Sequence, residues 1–528
     1  MPHIGYQWLA KHYGITPVHP FAVHSEIGRT RSTVVADGVR SEVYTEHYRP
    51  QANLADQLTF AFKYEGIHLE FLARLAPLPG VKQALEEWIA REPTGAYARR
   101  AGFYYEWLTG EQLAFAGVSK GNYVDALDAE LFVTGSPVNN ARWRVRDNLP
   151  GNRDFCPIIW RSPAVRAAES YDIPQHLAAL EADYGIDLVL RSTVWLTVKE
   201  SRASFLIERE QEQEDRIRRF AAVMETECGI HPQPLAPDTL SALQRAILGD
   251  AALRYGLRRS PVFVGHTARY QQVVDYIGPH WDETIPMLQG LPQFLDKTRT
   301  TSALVRAAVA SFGFVYIHPM ADGNGRISRF LINDVLRRDG ILPPPLILPV
   351  SATITHSTYN RADYDRVLEK FSRPLMQRYA SHYRFAEAVQ AEDGVEYNFH
   401  FDAYQDALPA WRYPDLTPHV AYLADIVDQT LTREMRQEAQ FLHANEQARQ
   451  GIKQVLEAPD AELDVIIRSV RESGNRISGK LGKRYPLLAE KPALAARIID
   501  AISRAFGDDT AEQAGDEHAR TTEDNNHD

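Results

Sequence analysis

A chain of 528 residues, 44% hydrophobic and 24% charged, has the composition of a globular protein large enough for several cores. Its formal net charge of -11 argues against wholesale coating of nucleic acid or of an anionic membrane, while leaving room for a local basic patch. Cys156 and Cys228 lack metal-ligand spacing and read as free thiols of a reducing compartment. No apolar run approaches the roughly 20 residues that span a bilayer, and the first residues lack the layout of a signal peptide, so the expectation is a cytoplasmic protein without a membrane partner.

In chain order, residues 1–190 read as an N-terminal region of unassigned role, helical with some strand. Leu54 to Leu75 carries apolar residues at helical spacing, and the segments that open at Val81 and Tyr97 continue the pattern. Arg142, Arg144 and Arg146 alternate along a strand-like stretch that closes in Pro150-Gly151; a solvated strand face or local ion pairs account for them better than phosphate contacts. A long helical segment spans 192–230 and is ended by Pro232, Pro234 and Pro237.

Residues 235–372 then read as a helical domain holding one small β element. Asp238 or Thr239 is the expected N-cap of its first helix. The stretch RYQQVVDYIGPHW, from Arg269 to Trp281, alternates branched and polar residues before a Gly-Pro turn and predicts a short hairpin. Next comes a helix with Leu304, Ala308, Phe312 and Val315 along one side, then a polar turn, then a helix that buries Ile327, Phe330, Leu331 and Val335 and stops near Gly340. Residues 373–506 read as mostly helical. The acidic tail 507–528 holds too few apolar side chains to offset the cost of ordering and is expected to be disordered.

The polar turn, IHPMADGNGRISRF from Ile317 to Phe330, concentrates the chemistry. Arg326 and Arg329 fall in the first turns of a helix, where the backbone already carries partial positive charge, so two cations there imply an anion. Gly323 and Gly325 let backbone N–H groups approach oxygens, and Asn324 tolerates left-handed geometry, which together describe a nest for phosphate. Asp322 among these cations suits a divalent metal that accompanies phosphates. His318 adds an imidazole able to accept a hydroxyl proton near neutral pH. A tight interhelical turn with a capping histidine would explain each feature singly, but not the whole set within twelve residues.

HPMADGNGRISR closely resembles the Fic family signature HxFx[DE]GNGRxxR, matching at every defined position except Met320, where the family prefers Phe. The resemblance extends from about Leu235 to Phe371. It implies a mainly α architecture: a helical Fic domain with a β-hairpin flap, flanked here by an N-terminal region of helix with some strand and a C-terminal helical region. It also implies transfer of AMP from ATP to a Ser, Thr or Tyr hydroxyl of a protein. His318 would be the general base, and Asp322 would hold Mg²⁺ or Mn²⁺. Gly323, Asn324, Gly325 and Arg326 would steady phosphate oxygens, Arg329 would grip the γ-phosphate, and Asn360 and Tyr364 would lie near adenine. The partners implied are ATP and a protein target docked on the flap near residues 269–281. Self-modification and a homodimer are left open, and nucleic acid is not the expected partner.

Upstream, ESRASFLIERE places Ser204 and Glu208 where the family's inhibitory pattern [ST]xxxE[GN] has its Ser or Thr and its Glu, with Arg209 in place of Gly or Asn. Glu200, Ser204, Ile207 and Glu208 match the wider form found when the inhibitory helix precedes the catalytic domain. The resemblance implies that Glu208 pairs with Arg329 and holds the enzyme off. A solvated acidic helix face is the plain alternative reading of this stretch. For the whole site, removal of AMP from a modified protein or a non-catalytic, nucleotide-dependent regulator stand beside transfer.

Overall fold

The computed structural model describes residues 1–36, 38–118, 120–208, 214–249, 254, 256–268, 271–392 and 394–507. Arg209, Arg269, Tyr270 and the tail beyond residue 507 therefore lie outside the described residues. The fold is mainly α, with small sheets. None of the described helices is long and apolar enough to cross a membrane. The chain divides into two compact units, one of Met1–Asp172 with Thr197–Asp428, the other of Ile173–Leu196 with the chain from Gln429 onward. The helix Ile186–Ile207 contributes to both.

In the first unit, the N-terminal strands form a four-stranded sheet ordered His3–Ile4, Val23–Ile27, Val39–Tyr44, Ser32–Ala36, with the middle pair parallel. The Leu54–Leu75 stretch is helical in two pieces, Leu54–Phe60 continued by the π-helical turn Ala61–Glu65, and Leu69–Leu75. Gly66 sits between them at φ +84, and a Cβ there would meet Trp160 at 2.5 Å, so the break is fixed by packing as well as by backbone. Phe71, Trp88, Tyr104 and Trp143 fill the core beneath the helices. The alternating arginines are held locally. Arg142 pairs with Glu106 at 3.0 Å, Arg146 with Asp125 at 2.5 Å, and Arg144 donates to the carbonyls of Val118 and Gly121.

The helices Ala303–Ile317 and Asn324–Arg338 form the centre of the 235–372 region. The first was expected to bury one side; nearly all of it is buried, because its sequence is apolar around the whole circumference. The Pro237–Leu248 helix starts at its proline, so Ala236 rather than Asp238 or Thr239 occupies the cap position. The β element also differs from expectation. It pairs Phe263–Ala268 with Gln271–Ile277, so RYQQVVDYIGPHW supplies only the second strand and the helix Trp281–Lys297 begins at its last residue. Gly265 marks the register shift, since a Cβ there would strike the Val273 carbonyl at 2.1 Å.

Residues 373–506, read as mostly helical, also carry a hairpin, Tyr383–Gln390 with Glu396–Phe401. It packs on the first hairpin through Phe263, whose ring lies 4.8 Å from Phe399 and 5.5 Å from Phe385. In the second unit, the helices Met435–Lys453, Asp460–Glu472 and Pro492–Phe506 enclose a small core of Ile452, Leu463, Ile466, Val470, Ile498 and Ile502.

Candidate active site

The polar turn owes its shape to three braces. His318 ends the 303–317 helix in the left-handed region at φ 48, a conformation unusual for a residue with a Cβ. Arg258 holds it there: its Nε donates to the His318 carbonyl at 2.7 Å, and its other nitrogens donate to the carbonyls of Ser260 at 3.1 Å and Pro279 at 2.6 Å. The backbone of 256–258 also pairs with that of 319–321, through Arg258 N–H to Pro319 O and Ala321 N–H to Gly256 O, both at 3.0 Å. Gln244, from the 237–248 helix, donates to the Asp322 carbonyl at 2.7 Å and accepts from the Gly256 N–H at 2.6 Å.

Asn324 is the third brace. Its side chain accepts from the Met320 N–H and donates to the Met320 carbonyl, both at 2.9 Å. The left-handed positions are therefore His318 and Gly323 (φ +81), while Asn324 is already helical. The Asn324 amide closes the loop through these two bonds. Met320 is fully buried, so its apolar side chain fills space as the family's Phe would.

His318 is poised as a base. Its Nδ1 lies 3.2 Å from the Val315 carbonyl, which can only accept, so the neutral ring carries its proton on Nδ1 and leaves Nε2 with a free lone pair. Burial, and then the Arg258 charge, push the imidazole down to about 4, against the opposing pull of Glu208 and Asp322. The neutral form thus dominates at neutral pH.

The two arginines are buried, with side-chain exposures of 1% for Arg326 and 2% for Arg329. Arg326 stands over the Phe205 ring at 5.0 Å and reaches Asp322 Oδ1 at 3.4 Å. Arg329 is engaged by the upstream helix. Its Nε donates to Ser204 Oγ at 2.8 Å, and its Nη2 to the Ser204 carbonyl at 3.1 Å and to Glu208 Oε1 at 2.7 Å. A Cβ on Gly325 would lie 1.9 Å from Glu208 Oε1, so the carboxylate rests directly against the first turn of the 324–338 helix. That is where the helix dipole and exposed N–H groups favour an anion. Burial raises the Glu208 carboxyl, but Arg329, with Arg326 and His318 behind it, outweighs burial and holds it below the ordinary carboxylate range. Glu200 anchors the same helix, accepting from the Ser351 N–H at 2.6 Å and from its hydroxyl at 2.5 Å.

Tyr364 is buried close enough to Arg329 and Glu208 for both charges to act on its hydroxyl, although burial sets its upward shift. Asn360, one turn earlier on the Thr358–Tyr379 helix, donates its side-chain N–H to the Thr353 carbonyl at 2.9 Å. The hairpin is tied to the 303–317 helix by Tyr276, whose hydroxyl donates to the Tyr316 carbonyl. Sequence reasoning missed Arg258, Gln244 and Phe205. The first two act on backbone atoms of distant segments, a role with no pattern along the chain; Phe205 lies one residue after Ser204, within the ESRASFLIERE stretch.

Asp322 suits a hard cation. Its side chain is 56% exposed, and its Oδ1 accepts from the Gly323 N–H at 2.6 Å. Among the described residues no cluster of three or more His, Cys, Asp or Glu side chains could hold a metal alone. One carboxylate that relies on phosphate oxygens and water for the remaining ligands fits Mg²⁺ better than a site made wholly of protein.

Comparison with known proteins falls on this region. Residues 234–336 match the family model described as Fic/DOC family. The protein adenylyltransferase fic-1 of Caenorhabditis elegans is 31% identical over 152 residues, which is 27% of this chain and 28% of the relative. Protein adenylyltransferase Fic of Drosophila mojavensis is 34% identical over 111 residues, or 20% of each chain. This chain thus spans about a quarter of the length of the relatives it matches. A solved Fic family protein from Desulfovibrio desulfuricans G20 aligns with 17% identity and a TM-score of 0.34, covering 59% of this chain and 87% of that one. The Fic/DOC family match over residues 234–336 contains the whole His318–Arg329 turn.

Proposed function

We propose that this chain is a protein adenylyltransferase that moves AMP from ATP to a Ser, Thr or Tyr hydroxyl of a protein, and that Glu208 holds it in an off state. The reading draws on the adenylyltransferases it resembles and on a neutral His318 beside two buried arginines at a helix N-terminus. His318 Nε2 takes the proton of the acceptor hydroxyl, whose oxygen attacks the α-phosphorus. The new P–O bond forms as the bond to the β-phosphate oxygen breaks, and pyrophosphate leaves. Arg326 and the first N–H groups of the 324–338 helix stabilise the charge that grows on the phosphate oxygens. A divalent cation held by Asp322 would neutralise part of the departing pyrophosphate charge when bound. The acceptor segment docks on the hairpin 263–277, by strand addition.

One observation carries the off state: Glu208 sits between Arg329 and the helix N-terminus, the place an anionic phosphate would take. While Arg329 donates to Glu208 and Ser204, the γ-phosphate lacks its partner and the triphosphate cannot be oriented for in-line attack.

The test is label transfer from α-labelled ATP to cellular proteins. Glu208→Gly should raise transfer by about tenfold or more, given the roughly 1.5–3 kcal/mol of a charge-assisted bond, and His318→Ala should abolish it in either background. Absence of label with Glu208→Gly would overturn the reading. Release of AMP from a pre-modified protein by the native chain, lost in Glu208→Gly, would favour removal over transfer.

A further inference from the structure

Residues 468–491 hold seven Lys and Arg against two Glu, in a chain whose formal net charge is -11. All seven cations are exposed, and among the described residues none makes an ion pair. Three aspartates of neighbouring helices are engaged elsewhere, Asp464 with Arg449 at 2.5 Å, Asp460 with Lys453 at 2.5 Å and Asp500 with Arg504. This segment therefore concentrates positive charge that nothing described in the protein neutralises.

The charges stand on a firm mount. Ser478 caps the short helix Gly479–Arg484 by accepting from the Leu481 N–H at 3.1 Å, and its hydroxyl meets that of Ser469 at 3.0 Å, which ties the short helix to Asp460–Glu472. Leu481 and Leu488 are buried in the core of the unit. With Leu481 facing inward, Lys480, Lys483 and Arg484 share the outer face at i, i+3 and i+4.

Beside the basic segment lies a groove of about 650 Å³ that includes Arg468, Arg471 and Asn475 in its wall. Trp195 and Phe441 also line it and are 59% and 42% exposed. The Arg471 guanidinium lies 4.0 Å from the Phe506 ring centre and 5.2 Å from that of Phe441, which makes a planar cationic platform. Glu438, Asp464 and Glu472 also line the groove, as many acids as arginines, so charge alone does not define its occupant.

We propose that the groove and the adjoining basic segment bind single-stranded nucleic acid, with the other cations of 468–491 taking phosphates and Trp195, Phe441 and Arg471 stacking on unpaired bases. Exposed rings next to unpaired cations are what a strand with free base faces requires. A duplex hides its base faces, and a flat anionic bilayer cannot enter a concave groove.

The test uses the full chain and fluorescence anisotropy with labelled 20-nucleotide DNA and RNA of mixed sequence, the matching duplexes, and phosphatidylserine vesicles. Single strands should bind more tightly than duplexes, with affinity falling steeply as salt rises; the DNA and RNA arms identify the preferred sugar. Lys480→Glu/Lys483→Glu/Arg484→Glu should weaken binding about tenfold or more, and Trp195→Ala about fivefold or more, both with unchanged thermal stability. No binding at low salt, binding to vesicles alone, or duplex affinity equal to that for single strands and unmoved by Trp195→Ala, overturns the proposal.

Discussion

The proposed off state turns on Arg329, which donates to Ser204 and Glu208. Its guanidinium is buried, so each bond it donates to Ser204 or Glu208 is a strong, desolvated one; in the proposed off state the Glu208 bond stands where a phosphate would bind. Ser204→Ala removes only the bond from Nε, and the Ser204 carbonyl and Glu208 remain as acceptors. Transfer should rise by about threefold to tenfold, less than with Glu208→Gly, since one neutral acceptor counts for about 1 kcal/mol. A label-transfer series across the single variants and the double variant would check this, and the double should not exceed Glu208→Gly by the full Ser204 factor, because both bonds restrain one side chain.

Arg258 works in the opposite sense. It sustains a left-handed His318 and depresses its pKa, so Arg258→Met should leave three buried carbonyls without this donor and let the base move. We expect kcat to drop by about tenfold or more with KM for ATP little changed, measured in a Glu208→Gly background. Lysine should rescue poorly, since one ammonium cannot span the three acceptors. The contrast with His318, Asp322 and Arg329 shows what a sequence exposes. Those residues crowd into one turn and announce their chemistry by proximity, whereas Arg258 acts through carbonyls whose positions only the folded chain sets.

At the scale of elements, the helix 186–207 matters through where it is pinned. Glu200 sits two turns before Glu208 and accepts from the Ser351 N–H and hydroxyl, and from the Ala352 N–H at 3.3 Å, joining the helix to Val350–Thr355. Burial pushes this carboxyl up to about 7, even with those donors and the Arg329 charge pulling it down. Glu200→Ala should free the helix end and leave Ser351 unsatisfied. Transfer should rise while the Tm of the first unit falls by a few degrees. A gain in transfer without loss of Tm, or the reverse, would separate anchoring from regulation. The sequence indicated that Ser204 and Glu208 lie on one face, but not which surface receives it. It also set the helix start near residue 192, whereas the helix begins at Ile186, just after Gly185 at φ +83, a residue suited to breaking the chain direction there. The hairpin of Tyr383–Gln390 and Glu396–Phe401 was hidden for a related reason: its first strand is exposed along almost its whole length and shows no alternating burial, and only the second alternates, with Phe399 and Phe401 buried.

For the whole molecule, buried neutral histidines are expected to weaken the fold in acid. His318 is pushed down to about 4 and His419 to about 3, in both cases chiefly by burial. His419 is fully buried and its Nε2 lies 2.6 Å from the Tyr316 hydroxyl, on the helix that delivers His318. In the unfolded chain both rings titrate near ~6.5. Between that value and the folded ones the unfolded state binds more protons, so the stability these rings contribute is complete above pH 6.5 and drains away as pH falls toward 3. The loss for His419 alone is on the order of 3–5 kcal/mol by pH 3. Thermal melts from pH 7.5 to 4 should show the first unit losing Tm steadily below pH 6.5. In His419→Gln, which keeps a hydrogen-bonding side chain but cannot titrate, the Tm at pH 7.5 should be somewhat lower and its decline with acid shallower. Parallel slopes for the two proteins would mean that carboxylates, not this histidine, govern acid unfolding.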